Sequence, residues 1–305
     1  MSFQYAIFLL ILMPGQIFSA ERLEERTLQV GELERRYLVH KPKNFDPDKK
    51  LPVVLVFHGG ASNPEVMAEY SGMNQKADDA GFVVVYPAGT GRLPNALTWN
   101  AGDCCGYAQR NNVDDVEFVR QLLIDLGKLM SIDKRRIYAT GISNGGMISY
   151  RLASELSSQI AAIAPVGGPM GTKECHPDRP VSVMHFHGTD DKYAPYNGGK
   201  GEKSLTQFDF LSVEHSIEAW VAANGCKTTP EIEALPDTAD DDMTVRRHRY
   251  TGGKQGSEVI LIEIIGGGHT WPGRQARLRF LGPSTEDISA NDLMWEFFEK
   301  HPLPE

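Results

Sequence analysis

Gly141-Ile142-Ser143-Asn144-Gly145 sets a serine between two glycines, with a third glycine at 146. An apolar run, RRIYATG at 135–141, precedes it, and a helix-forming stretch, MISYRLASEL, comes after. A serine at a strand-to-helix turn is held in a tight conformation that only small neighbours permit, with its hydroxyl clear of the chain. A hydroxyl is a weak nucleophile at neutral pH, so attack on a carbonyl requires a general base and an acid to orient that base. In a site of this type the acid and then the base follow the serine along the chain.

VSVMHFHGTDDKYAP places Asp190 and Asp191 just beyond a strand. Both are candidates for the acid, and either could instead be an ordinary turn residue bonded to its own backbone. Of the downstream histidines, His215 falls in a helical pattern, His248 in the basic strand TVRRHRY and His301 in the terminal tail. His269 follows an apolar strand and the glycines 266–268, where a loop could carry a base to the serine. It is therefore the expected general base. A tetrahedral intermediate also needs backbone N–H donors aimed at its oxyanion. One is expected from Asn144 and the other from His58-Gly59-Gly60-Ala61, with Gly60 as first choice and Ala61 as second. His58, His185 and His187 read as packed strand residues, although a His-x-His pair on one strand face could also bind a metal.

These residues need a scaffold. LPVVLVFH (51–58), GFVVVYP (81–87), RRIYATG, VSVMHFHG (181–188) and SEVILIEIIGGG (257–268) are apolar enough to be strands covered on both faces. Helical patterns separate them: Pro64 to Ala80, Asp114 to Met130, Gly145 to Leu156, Val213 to Ala223 and Asn291 to Lys300. Alternation of this kind predicts an α/β fold, a mostly parallel sheet with helices on both faces. TLQV and RRYLVH are expected as an antiparallel hairpin at its edge. The acidic insert at 230–243 is expected to cover the surface near an edge.

A net charge of −9 and a pI near 5.5 repel nucleic acid and anionic membrane surfaces, and suit a neutral or weakly charged substrate. The first twenty residues carry an apolar stretch from Tyr5 to Met13, a Pro14-Gly15 break and small residues at 19 and 20. That layout predicts a signal peptide at 1–20 and a single catalytic domain at 21–305, secreted or periplasmic. No cysteine follows the apolar run, so no lipid anchor is expected. Cys104, Cys105, Cys175 and Cys226 are even in number, which suits disulfides in an oxidising compartment. Three pairings are open, Cys104–Cys105 with Cys175–Cys226 among them. A zinc site is the competing reading, against which the spacing lacks C-x2-C pairs.

Taken together, HGG, TWNAGDCCG, VDDVEFVRQLL, GISNGGMISYRLA, IAAIAPVGG, HGTDDKYAPYNGG and GGGHTWPG resemble the secreted poly(3-hydroxybutyrate) depolymerase and feruloyl esterase group of α/β-hydrolases, carbohydrate esterase family 1. The likeness covers roughly residues 30 to 300. It implies the α/β-hydrolase fold and a serine carboxylesterase with no cofactor and no metal, using Ser143, Asp191 and His269. Asp191 is the acid by the family form His-Gly-Thr-x-Asp-x-x-Val-Pro, from which this chain departs by Ala194 in place of Val. Trp99, Tyr193 and Trp271 are expected near the pocket, where rings could stack on a sugar or a phenolic group; the two tryptophans could equally be core. The expected partner is an ester substrate, a polyester or an esterified polysaccharide, and the expected state is a monomer. The alternative is a catalytically inactive binding protein of the same fold.

Overall fold

The computed structural model describes residues 23–204, 206, 208–276 and 279–305. The segment read as a signal peptide lies outside them. The chain opens with a hairpin, β1 (Glu24–Val30) and β2 (Leu33–His40), then enters the sheet at β3 (Leu51–Phe57). Two helices follow, α1 (Pro64–Ser71) and α2 (Met73–Ala80), before β4 (Val83–Pro87). A short α3 (Gly106–Arg110) and the long α4 (Asp115–Leu129) lead to β5 (Ile132–Ile142), α5 (Asn144–Glu155), β6 (Ala162–Val166) and β7 (Ser182–Gly188). The small strands β8 (Gly199–Lys200) and β9 (Asp209–Phe210) pair with each other outside the main sheet. Then come α6 (Val213–Asn224), β10 (Glu231–Ala234), β11 (Thr244–Tyr250), β12 (Val259–Ile265) and α7 (Ala290–Lys300).

The main sheet has ten strands in the order β1-β2-β4-β3-β5-β6-β7-β12-β11-β10. From β4 to β12 every neighbouring pair is parallel, and antiparallel strands close both edges. Alternate residues of a strand face opposite sides of a sheet, and β3 shows the consequence. Val53, Leu55 and Phe57 pack with α4, α5 and α6, while Val54 and Val56 pack with α1, α2 and α7. With both faces covered, continuous apolar runs are what such strands require.

Helix boundaries follow from capping chemistry. Asn63, Asp114, Ser212 and Ser289 each accept a backbone N–H of the first turn of α1, α4, α6 and α7 through their side chains. The one helix expected between Pro64 and Ala80 is two, because Gly72 adopts φ 64° and turns the chain between α1 and α2. The acidic insert lies at the surface on an edge of the sheet, as expected, and part of it, Glu231–Ala234, is a strand paired antiparallel with Arg249–Arg246. Arg247 bonds Glu233 there, so opposite charges across the pair offset the poor strand propensity of an acidic edge.

Candidate active site

All the candidate residues sit at the carboxyl ends of parallel strands, where an open α/β sheet leaves a crevice. The turn after β5 places Ser143 at φ 58° and ψ −125°, a left-handed conformation costly for a residue with a Cβ. Its N–H donates to the Val166 carbonyl at 2.8 Å and its carbonyl accepts from Met147 N at 3.0 Å. The flanking glycines are required by contact. A Cβ at Gly141 or Gly145 would overlap the Phe57 carbonyl oxygen, and one at Gly168 would overlap that of Ser143.

Asp191 and His269 come together from the ends of β7 and β12. His269 Nδ1 is 2.6 Å from Asp191 Oδ2, and the other carboxylate oxygen accepts N–H groups from Tyr193 at 2.8 Å and Ala194 at 3.0 Å. Burial works to raise the carboxyl's pKa, but the neighbouring His269 and the hydrogen bonds from His187 and His269 outweigh it. The group is held well below the usual carboxylate range. Asp190 does not bond His269: it is exposed, and Thr189 donates to it. His269 is fixed by its own backbone, whose N–H donates to the Leu281 carbonyl at 2.7 Å. Gly167 and Gly168 after β6 lie between the parts, since a Cβ on the first would meet His269 Nδ1 at 3.2 Å and one on the second would strike Ser143.

The loop after β3 faces the start of α5. A Cβ at Gly59 would lie 3.5 Å from Ser143 Cβ, and one at Gly60 would lie 3.7 Å from Asn144 Cβ. Ala61 takes φ 56° in the same turn. The first N–H groups of a helix have no partner within it, and the helix dipole adds positive potential there. His58 anchors the loop from below. Its Nε2 accepts from Gly89 N at 3.0 Å, so Nδ1 carries the hydrogen and donates to Gly59 O at 2.8 Å. Burial lowers its pKa to about 4, keeping the ring neutral.

Trp99 and Trp271 do not offer a stacking surface. Both are 0% exposed, so of the two readings left open by the sequence the rings take the core one and do not face a ligand. Trp99 is gripped instead: its backbone N–H and carbonyl pair with the Asn144 side-chain amide at 2.7 and 3.1 Å, and its indole N–H donates to His58 O at 2.9 Å. Trp271 donates its indole N–H to Asn291 Oδ1 at 2.9 Å and packs under α7. Tyr193 is half-buried and lies beside the proposed base, its ring centroid 5.2 Å from that of His269.

One feature was invisible at the level of motifs. Asp115 and Arg35, nearly or fully buried, pair at 2.7 Å, and the second Asp115 oxygen accepts Asn100 N, tying the Trp99 loop to α4. Burial outweighs their attraction, pushing Arg35 down and Asp115 up. His185 and His187 are packed strand residues, as read from the sequence, and use all four ring nitrogens on protein partners, which disfavours the alternative of metal binding. Among the described residues no group of three or more His, Cys, Asp or Glu could hold a metal ion. Cys104 and Cys105 lie against each other, and Cys175 and Cys226 are unpaired, so the second half of that pairing is not formed here.

The family model described as esterase PHB depolymerase matches residues 37–196. The chain is 30% identical over 261 residues to NocK of Nocardia uniformis subsp. tsuyamanensis, a protein named as an esterase, with 81% of this chain and 73% of that one covered. It is 30% identical over 247 residues to feruloyl esterase B of Piromyces equi, covering 77% of this chain and 42% of that protein. The chain thus spans less than half the length of the second relative. Among solved structures, an acetyl xylan esterase from Aspergillus awamori superposes with a TM-score of 0.60 at 14% identity, covering 90% of this chain and 99% of that one. At that identity the likeness is one of fold.

Proposed function

The chain belongs to the esterase PHB depolymerase family and has the α/β-hydrolase fold of an ester hydrolase, and from that premise we propose that it is an exported serine carboxylesterase working through Ser143, His269 and Asp191. His269 Nε2 takes the Ser143 hydroxyl proton as Oγ attacks the ester carbonyl carbon. Asp191 holds the opposite face of the ring and stabilises the imidazolium that forms. The oxyanion is received by the backbone N–H groups of Asn144 and Gly60. Collapse of the tetrahedral intermediate breaks the bond to the alcohol, which leaves with the proton from His269. Water, deprotonated by the same histidine, then releases the acid and restores Ser143.

The observation that carries this reading is the 2.6 Å contact of His269 Nδ1 with Asp191 Oδ2 on the same crevice as a serine at φ 58°. Replacing Ser143 by Ala should leave a folded protein with activity on p-nitrophenyl butyrate reduced at least about 10³-fold. Full activity in that variant would overturn the assignment.

The substrate is proposed as a feruloyl or acetyl ester of plant polysaccharide, or a hydroxybutyrate polyester or oligomer. Relatives named feruloyl esterase support the first class, and the family model supports the second. Tyr193 beside His269 would give the pocket an aromatic wall on the acid side. A panel of methyl ferulate, acetylated xylan and hydroxybutyrate oligomers on the purified chain separates these classes. Export, a monomeric state and a Cys104–Cys105 disulfide complete the proposal.

A further inference from the structure

His185 and His187, which the proposed chemistry does not use, belong to a buried chain of hydrogen bonds ending on the Ala194 carbonyl, beside the proposed acid. Tyr150 Oη is 3.0 Å from His185 Nδ1, and His185 Nε2 is 2.9 Å from His187 Nδ1. His187 Nε2 is 2.8 Å from the Ala194 carbonyl oxygen and 3.4 Å from Asp191 Oδ2. None of Tyr150, His185 and His187 is more than 1% exposed.

The direction of this chain follows from its end. A carbonyl oxygen only accepts, so His187 Nε2 carries a hydrogen and, in a neutral ring, Nδ1 must accept. His185 Nε2 therefore donates to it, His185 Nδ1 accepts, and the Tyr150 hydroxyl donates. Every ring nitrogen is satisfied in one tautomeric arrangement, and burial, with His187 nearby, holds the His185 pKa well below the ordinary 6.5.

Placing two imidazoles and a phenol in a core costs desolvation that apolar side chains would avoid. What the arrangement secures is the loop that carries Asp191. Ala194 is held from both ends, its N–H donating to Asp191 Oδ1 and its carbonyl accepting from His187. The same His187 N–H lies beside the carboxylate oxygen that faces His269. Tyr150 belongs to α5, the helix that begins at Ser143, so the chain also links the nucleophile's helix to the acid's loop.

We infer that His187, supported by His185 and Tyr150, is a positioning residue that fixes the Asp191 carboxylate against His269. This rests on the proposed roles of Ser143, His269 and Asp191. The test compares His187→Gln with His187→Asn, each alone and combined with Asp191→Asn, by kcat and KM for p-nitrophenyl butyrate. A glutamine amide reaches the Nε2 position and keeps the donor toward Ala194 and Asp191, whereas an asparagine amide stops at the Nδ1 position. His187→Asn should lower kcat about tenfold with KM changed less than about threefold, and His187→Gln should stay within about threefold of the parent. In the Asp191→Asn background the asparagine should cost less than about twofold, because residues acting as one unit are not additive.

Equal losses for Gln and Asn, or a full loss repeated in the Asp191→Asn background, would overturn the inference in favour of packing alone. Wild-type kcat in Asp191→Asn itself would overturn the acid's assignment, and this inference with it. Should His187→Asn not fold, Tyr150→Phe removes only the far donor and carries the same comparison. A fall in kcat of about threefold that vanishes with Asp191→Asn supports positioning, and no fall, or the same fall in both, overturns it.

Discussion

His269 Nδ1 stands 2.6 Å from Asp191 Oδ2, a contact between residues 78 apart in the chain and nearly closed to solvent. The carboxylate accepts two backbone N–H groups on its other oxygen, so it cannot rotate freely to leave the ring. Its charge and direction both favour one tautomer of His269, with the hydrogen on Nδ1 and Nε2 left as an acceptor, the arrangement the proposed role requires.

Asp191→Asn keeps the shape but presents an amide that can stabilise the wrong tautomer. Its kcat on p-nitrophenyl butyrate should fall about 10³- to 10⁴-fold with KM nearly unchanged. Steady-state kinetics at pH 7 check this, and a loss confined to KM would contradict it.

Gly168 packs so closely on the backbone of Ser143 that a Cβ there would overlap its carbonyl oxygen and press on Met147 N. Gly168→Ala should destabilise the fold by about 1–3 kcal/mol and lower kcat at least about tenfold by displacing the serine turn. Gly127, within α4, has nothing within 4 Å of a built Cβ and serves as the control. Gly127→Ala should stabilise by about 0.5–1 kcal/mol with activity unchanged. Thermal unfolding and kcat on both variants decide the matter.

The larger part of the architecture was readable before any coordinates. Strands β3 and β4 are buried almost end to end, so their sequences are unbroken apolar runs, and Ser289 marks the start of α7 by its own capping chemistry. Chain order suggests which side chains to bring together, and the sheet does join Asp191 to His269. Other features depend on contacts between distant segments. Gly72 reads as one more residue of a helix until its positive φ is seen, and Glu231–Ala234 becomes a strand because Arg246–Arg249 lies beside it. Trp99 and Trp271 sit near functional motifs in sequence, yet both rings are consumed by packing and hydrogen bonds. The chain from Tyr150 to Asp191 joins a helix to a strand and its following loop. Its only trace in sequence is the pair of histidines spaced to share one face of an apolar strand.

Stability should depend on pH through buried histidines. Burial lowers the folded pKa of His58 to about 4 and that of His185 well below the ordinary 6.5. Between pH 6.5 and 4 the unfolded chain therefore binds protons that the folded chain refuses, and stability is lost as pH falls, by up to about 1.4 kcal/mol per pH unit for each histidine. Asp191 has a depressed folded pKa, so its contribution is present above 3.8 and is lost only on further acidification. The loss in the higher window thus belongs to the histidines. Denaturant unfolding should give a lower stability at pH 5 than at pH 6.5, and a flat or rising profile would contradict the neutral, buried assignment.

Ser143 is the proposed nucleophile, and its reactivity can be read directly. A fluorophosphonate ester reacts with a serine activated by a neighbouring base and leaves a stable adduct, which peptide mass spectrometry can locate. One adduct is expected, on the peptide containing Ser143, with hydrolysis lost in proportion to labelling and no adduct in Ser143→Ala. Labelling at another serine, or complete labelling at Ser143 with esterase activity intact, would contradict it.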